Sequence, residues 1–183
     1  MKALLMVALL ITGSVFAKDV NLTGKKISWL GEKVVGDDHK GTITVKKGII
    51  TLDDKKVIKT GTVTVDMNSI DNKDLKGEWK TKLEGHLKNK DFFDVEKFPE
   101  ATLVIKKVKA MKDHKVEVTG DLTIKKITKP VTFMAVQTPT TFRGDIVFDR
   151  TVYGIKYGSS NFFKLAADKT IKNDIKLNFD FKI

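Results

Sequence analysis

Few residues in this chain are equipped for covalent chemistry. It has no cysteine, and Ser159-Ser160, although preceded by Gly158, lacks the Gly-x-Ser-x-Gly context that strains a serine into a nucleophile. Of the three histidines, His39 beside Asp37 and Asp38 is the group most like a ligand set, while His86 and His114 lie far off and no metal-ligand spacing appears. The paired carboxylates Asp37-Asp38 and Asp53-Asp54 suit turns, where an Asp side chain accepts from nearby backbone N–H groups, better than they suit proton transfer. With no nucleophile, base pair or metal cluster, the chain reads as a non-enzyme that needs neither cofactor nor metal. Apolar surface is what it has in quantity. Eleven phenylalanines and two tryptophans suit the wall of a dry cavity, where burial contributes roughly 25 cal/mol per Å². The same residues suit a filled core, and composition does not separate the two.

The elements that must position these side chains are mostly strands. In the C-terminal segment Ile175, Leu177, Phe179, Phe181 and Ile183 alternate with Lys176, Asn178, Asp180 and Lys182, the period of a half-buried strand. Ile43 and Val45, Val63, Val65 and Met67, Val116 and Val118, and Phe142, Ile146 and Phe148 follow the same rule. Less regular runs near 25–35, 100–109, 121–125 and 130–138 bring the total to about eight strands with turn signals between them, which predicts an antiparallel barrel or sandwich in one domain. Leu75, Trp79, Leu83 and Leu87 recur every four residues instead, so 73–90 reads as an amphipathic helix inserted between strands, covering the barrel end or acting as a lid. A transmembrane barrel would turn its polar residues inward, and an eight-stranded lumen has no room for so many lysines. The apolar faces therefore point inward and the lysines outward.

The first 17 residues, MKALLMVALLITGSVFA, carry one early lysine, an apolar run and small residues before the expected cleavage point, which is the pattern of a secretory signal peptide. The expectation is an exported, soluble periplasmic protein that begins near Lys18, and the lack of a cysteine excludes a lipoprotein anchor. The net charge of +11 is spread along the whole chain. It reads as solvated strand faces with some attraction to acidic lipid, and export argues against nucleic acid as a partner.

Between His86 and Leu103 the sequence HLKNKDFFDVEKFPEATL sets three phenylalanines among charges. His86-Leu87-Lys88, Asp91-Phe92-Phe93-Asp94-Val95 and Phe98-Pro99, followed by a strand, resemble the hallmark of the YceI-like family of exported polyisoprenoid-binding proteins. Gly120-Asp121-Leu122-Thr123-Ile124 with Thr128-Lys129-Pro130-Val131 looks like its second motif, and Asp149-Arg150-Thr151 with Tyr153-Gly154-Ile155 like its third. Trp29 on an early strand and the His39-Lys40-Gly41 turn also fit, so the resemblance covers nearly all of 18–183 as a single domain. Two positions depart from the pattern: Lys126 stands where a glycine is commonly found, and Glu84-Gly85 replace a charged pair before the His-Leu step.

The resemblance implies an all-β fold, an eight-stranded antiparallel lipocalin-like β-barrel with one inserted helix. It further implies a pore that sequesters or transports a long-chain amphiphile, whether isoprenoid, isoprenoid quinone or fatty-acid-like. Carried over residue by residue, it places Phe92, Phe93 and Phe98 at the mouth or wall, Trp79 and Leu83 closing the pore from the helix, and Trp29, Phe133 and Phe148 lining it from strands. Tyr153 is placed among the cavity residues too, and Arg150, before it, is the residue expected to meet a head group or a buried carboxylate, because a guanidinium makes directional paired hydrogen bonds; a salt bridge fixing its loop is the alternative. The partner is then a long-chain apolar small molecule, with transient contact with an anionic membrane surface and a homodimer both left open. A competing reading from the charge alone is a filled barrel that holds anionic lipid or polymer on its lysine-rich exterior.

Overall fold

Alternation along the chain is realised as a single closed sheet. The computed structural model describes residues 17–183, so all but Ala17 of the segment read as a signal peptide lies outside the described residues. The strands are β1 (Lys18–Asn21), β2 (Lys26–Lys33), β3 (His39–Leu52), β4 (Ile58–Asn72), β5 (Glu100–Ala110), β6 (Lys115–Ile124), β7 (Ile127–Gln137), β8 (Thr141–Asp149) and β9 (Ile171–Lys182), with helix α1 (Gly77–Lys88) between β4 and β5. They run in the order β1-β3-β2-β9-β8-β7-β6-β5-β4, every pair is antiparallel, and a further β3–β4 pairing closes the barrel. The expected eight strands and the nine observed are the same barrel. β1 and β2 both pair with one edge of β3, at Ile49–Leu52 and His39–Thr44 respectively, so they occupy one barrel position broken in two. The break at Leu22–Lys25 turns at Gly24, which has φ 80°, and stays attached through Leu22 N–H to Gly48 O and Gly24 N–H to Val45 O.

Inward and outward faces follow the predicted period. In β9, Ile175, Phe179 and Phe181 are buried while Lys176, Asp180 and Lys182 are exposed, and β6 extends through both of its expected fragments as one alternating strand. The helix is shorter than the 73–90 expected from spacing. Asn72, itself buried, accepts the backbone N–H of Leu75 on its Oδ1 at 2.8 Å, and Gly77 takes φ 55°, so the chain turns before it can coil. Glu84 then ties the helix to β4 by accepting the N–H of Asn72 at 2.7 Å.

The two barrel ends differ. At the end away from α1, the β3–β4 turn folds inward onto Gln137 of β7, whose Oε1 accepts from Ile58 N–H at 3.2 Å and whose Nε2 donates to Lys56 O at 2.6 Å. Leu22, Leu52 and Ile58 are fully buried there. A cluster of rings lies toward this end, with Phe179 set 4.9 Å from Phe142, 5.4 Å from Phe181 and 6.0 Å from Phe133 between centroids. The other end carries α1, the β2–β3 and β6–β7 connections and the long β8–β9 connection.

Candidate functional site

Inside the barrel lies a cavity of about 190 Å³. A single water needs only ~10–15 Å³ of such space, so the barrel is hollow rather than imperfectly packed. Its wall is Ile, Leu, Val, Met and Phe drawn from β2 through β9. The polar exceptions are Glu32, Lys33, His39, His86 and Thr102, and each belongs to the end that carries α1. The cavity is therefore dry along its length and polar only at one rim.

The charged groups of that rim are largely paired. His39 Nδ1 lies 2.8 Å from Asp74 Oδ2, and Asp74 also accepts the backbone N–H of Lys40 at 2.7 Å, which docks the start of β3 against the chain leading into α1. Hydrogen bonds from His39, Lys40 and Asn72 outweigh burial and hold the Asp74 carboxyl below its usual range. Glu32 is bridged by Lys176 at 2.9 Å and Lys172 at 3.1 Å, which lower its pKa in the same way. His39 thus serves as a rim tether. Among the described residues, no three His, Cys, Asp or Glu groups converge as a metal site would require.

The segment after α1 is fixed by its own backbone. Phe93 N–H reaches Leu87 O, Val95 N–H reaches Lys88 O, and Asp94 adopts φ 52° to allow it. This fold-back buries Phe92, which meets Phe93 edge-on at 5.1 Å and His86 at 5.7 Å between centroids. Lys125 Nζ donates to Phe92 O at 2.9 Å and pins the segment to the β6–β7 turn.

Six of the ten expected site residues lie on the cavity wall: Trp29, Leu83, Phe92, Phe93, Phe133 and Phe148. The other four are corrected by the structure. Trp79 is 71% exposed. Residues spaced by four drift about 40° per step around a helix, so a stripe from Leu75 to Leu87 cannot face one surface throughout, and only Leu83 and Leu87 reach the cavity. Phe98 is half-buried outside the cavity, under Lys97 and Lys125 with Nζ atoms 5.4 and 6.0 Å from its ring centre. Tyr153 is buried behind the wall, edge-on to Phe148 at 5.7 Å, and burial raises its pKa. Arg150 is fully buried and meets neither a carboxylate nor the cavity. Its Nη1 donates to Ile155 O at 2.8 Å, Nη2 to Ile171 O at 3.2 Å and Nε to Lys172 O at 3.2 Å. Asp149 instead caps the following turn through Thr151 N–H and Oγ1. Arg150 thus joins the β8–β9 connection to the start of β9 through carbonyls, not through a salt bridge.

Several wall residues escaped the sequence reading. Phe142, Phe179 and Phe181 were on the dry face of their strands, so the alternation could have nominated them. Ala101 and His86 carried no such signal.

A model of the YceI-like domain matches residues 19–183. A UPF0312 protein of Pseudomonas fluorescens is 34% identical over 148 residues, covering 75% of this chain and 69% of that protein. A UPF0312 protein of Pseudomonas putida is 47% identical over 60 residues, 33% of this chain and only 29% of the relative's length. Among solved structures, Burkholderia cenocepacia BcnA superposes with a TM-score of 0.66 at 22% identity, over 85% of this chain and 93% of that one. A Campylobacter jejuni YCEI protein superposes with a TM-score of 0.56 at 17% identity, over 100% and 92%. At these identities the structural likeness establishes the shared barrel fold.

Proposed function

This chain belongs to the YceI-like family, and from that premise we propose that it is a non-enzymatic, exported carrier of the periplasm that holds a long-chain amphiphile, isoprenoid, isoprenoid-quinone-like or fatty, in its barrel. The observation that carries this reading is the hollow apolar cavity whose polar lining is confined to one rim. Such a gradient fits a molecule with an apolar tail and one polar end. Each methylene that leaves water for the cavity contributes ~0.8 kcal/mol, so ten buried carbons contribute roughly 8 kcal/mol before the cost of ordering the chain. Organic extraction and mass spectrometry of protein recovered from a periplasm without delipidation test the reading. Near-stoichiometric recovery of one long-chain species is expected, and repeated recovery of none overturns it.

A second reading, contact with an anionic lipid surface, is favoured by where the exposed apolar residues sit. Val34 and Val35 lie in the β2–β3 connection, Trp79 in α1, and Tyr157, Phe162, Phe163 and Leu165 in the β8–β9 connection, all at the mouth. Lys156 stands over the Phe162 ring at 4.7 Å. This is compatible with loading from a membrane, and the hollow interior removes the premise of a filled barrel. Sedimentation with acidic-lipid vesicles is expected at low salt and should collapse as salt rises, since exposed charges are screened beyond ~8 Å at physiological ionic strength. No binding at low salt overturns it.

A further inference from the structure

Among the described residues, one buried side-chain polar atom has no hydrogen-bond partner, and it is His86 Nε2. Buried polar atoms in folded proteins are nearly always bonded, so an orphan on a cavity wall calls for an explanation. The ring as a whole is half-buried. It stands edge-on to Tyr157 at 4.4 Å and to Phe92 at 5.7 Å, on the last turn of α1, where it lines the polar end of the cavity.

We propose that His86 Nε2 hydrogen-bonds the polar end of the bound molecule, and that this end is an uncharged hydroxyl or carbonyl rather than a phosphate. The inference rests on the carrier reading above and gives its ligand a head-group class.

The charge pattern around the rim selects the neutral head. A phosphate needs uncommitted cations, and several of the nearby ones are engaged elsewhere. Arg150 spends its guanidinium on three carbonyls, Lys125 donates to Phe92 O, and Lys172 and Lys176 hold Glu32. Lys33 is the one lysine on the cavity lining, a single cation against a phosphate that carries up to two charges. Burial also pushes the pKa of His86 down, only partly opposed by Asp91, so the ring is a neutral imidazole near pH 7. A neutral imidazole nitrogen accepts from a hydroxyl in one tautomer and donates to a carbonyl in the other. Neither state supplies the charge that a phosphate requires.

The test uses delipidated full-length mature protein and three probes that share one tail: geranylgeraniol, the corresponding hydrocarbon without the hydroxyl, and geranylgeranyl phosphate. The wild type is expected to bind the alcohol about tenfold more tightly than the hydrocarbon, as one added hydrogen bond to an orphaned group would give, and to show no preference for the phosphate. His86→Leu should remove the alcohol's advantage over the hydrocarbon, while His86→Gln, which keeps a donor and an acceptor, should restore part of it. Thermal unfolding of both variants checks that they fold. Equal binding of alcohol and hydrocarbon by the wild type, an undiminished preference in a folded His86→Leu, or a preference for the phosphate overturns the proposal while leaving the carrier reading intact. Binding of none of the three overturns the carrier reading and this inference with it.

Discussion

The guanidinium carbon of Arg150 stands 5.4 Å from the centre of the Phe92 ring. A buried cation therefore supports the aromatic wall of the cavity from behind, while its N–H groups bind the carbonyls of Ile155, Ile171 and Lys172. Burial lowers its pKa, only partly offset by Asp149, yet an arginine stays charged at any physiological pH. Its carbonyl partners and the ring face are what make that charge tolerable. Arg150→Met should leave those carbonyls without their donors and cost about 3 kcal/mol, which lowers the thermal midpoint of a chain this size by roughly 6–12 °C. Calorimetry checks it; an unchanged midpoint would mean that the three bonds contribute nothing net.

Ala101 is buried on β5 and lies on the cavity wall. Adding a ring to a packed core costs typically 1–3 kcal/mol, but adding one to a hollow core fills space that only the ligand uses. Ala101→Phe is expected to keep or raise the urea midpoint of the delipidated protein and to reduce co-purifying lipid several-fold. A loss of 1–3 kcal/mol with lipid unchanged would identify a packed interior.

The depressed pKa of His86 makes a pH prediction with a definite sign. Above its ordinary value of 6.5 the ring is neutral in folded and unfolded chains alike, and it contributes no pH dependence. Below that value the unfolded chain takes up the proton more readily than the native one, so stability falls with decreasing pH. Asp91, the charged group that opposes the shift, narrows the window without reversing it. Between pH 7.5 and 5 the urea midpoint of the wild type should drop more than that of His86→Leu. Parallel drops would show that the ring titrates as it does in water.

Lys125 and Lys126 form the two-residue turn between Ile124 and Ile127 and take φ 50° and 62°. Positive φ at both positions is the geometry of a tight hairpin of the kind in which glycine is preferred. Lys126→Gly relieves one left-handed side-chain residue and should stabilise the protein by about 0.5–1 kcal/mol, a rise of about 1–4 °C in midpoint. Lys125 is left in place because its ammonium holds Phe92 O. A lower midpoint would show that Lys126 contributes through its side chain.

The candidate site was legible only in part. Phe92, Phe93, Phe133 and Phe148 were found because apolar residues on the dry face of a strand, or folded back beside one, have nowhere else to go. Trp79 misled because a spacing of four marks a helix without saying which arc of it meets the barrel. Arg150 misled because residue type predicts a partner's chemistry, and a carbonyl serves a guanidinium as well as a carboxylate does. His86 was passed over because the burial that orphans it is created by Phe92 from the same segment and Tyr157 from the β8–β9 connection, 71 positions away counted as 157 less 86.

Strand periodicity, the antiparallel β class, the single inserted helix and the orientation of lysines toward water were determined by the sequence alone. Each is a local consequence of side chains alternating along an extended backbone or recurring along a helix. The broken first barrel position, the sealed end at Gln137, the hollow interior and the orphaned nitrogen at its rim were decided only by the tertiary structure. A cavity is the volume left over when strands distant in sequence close on one another, and no window of neighbouring residues contains that difference.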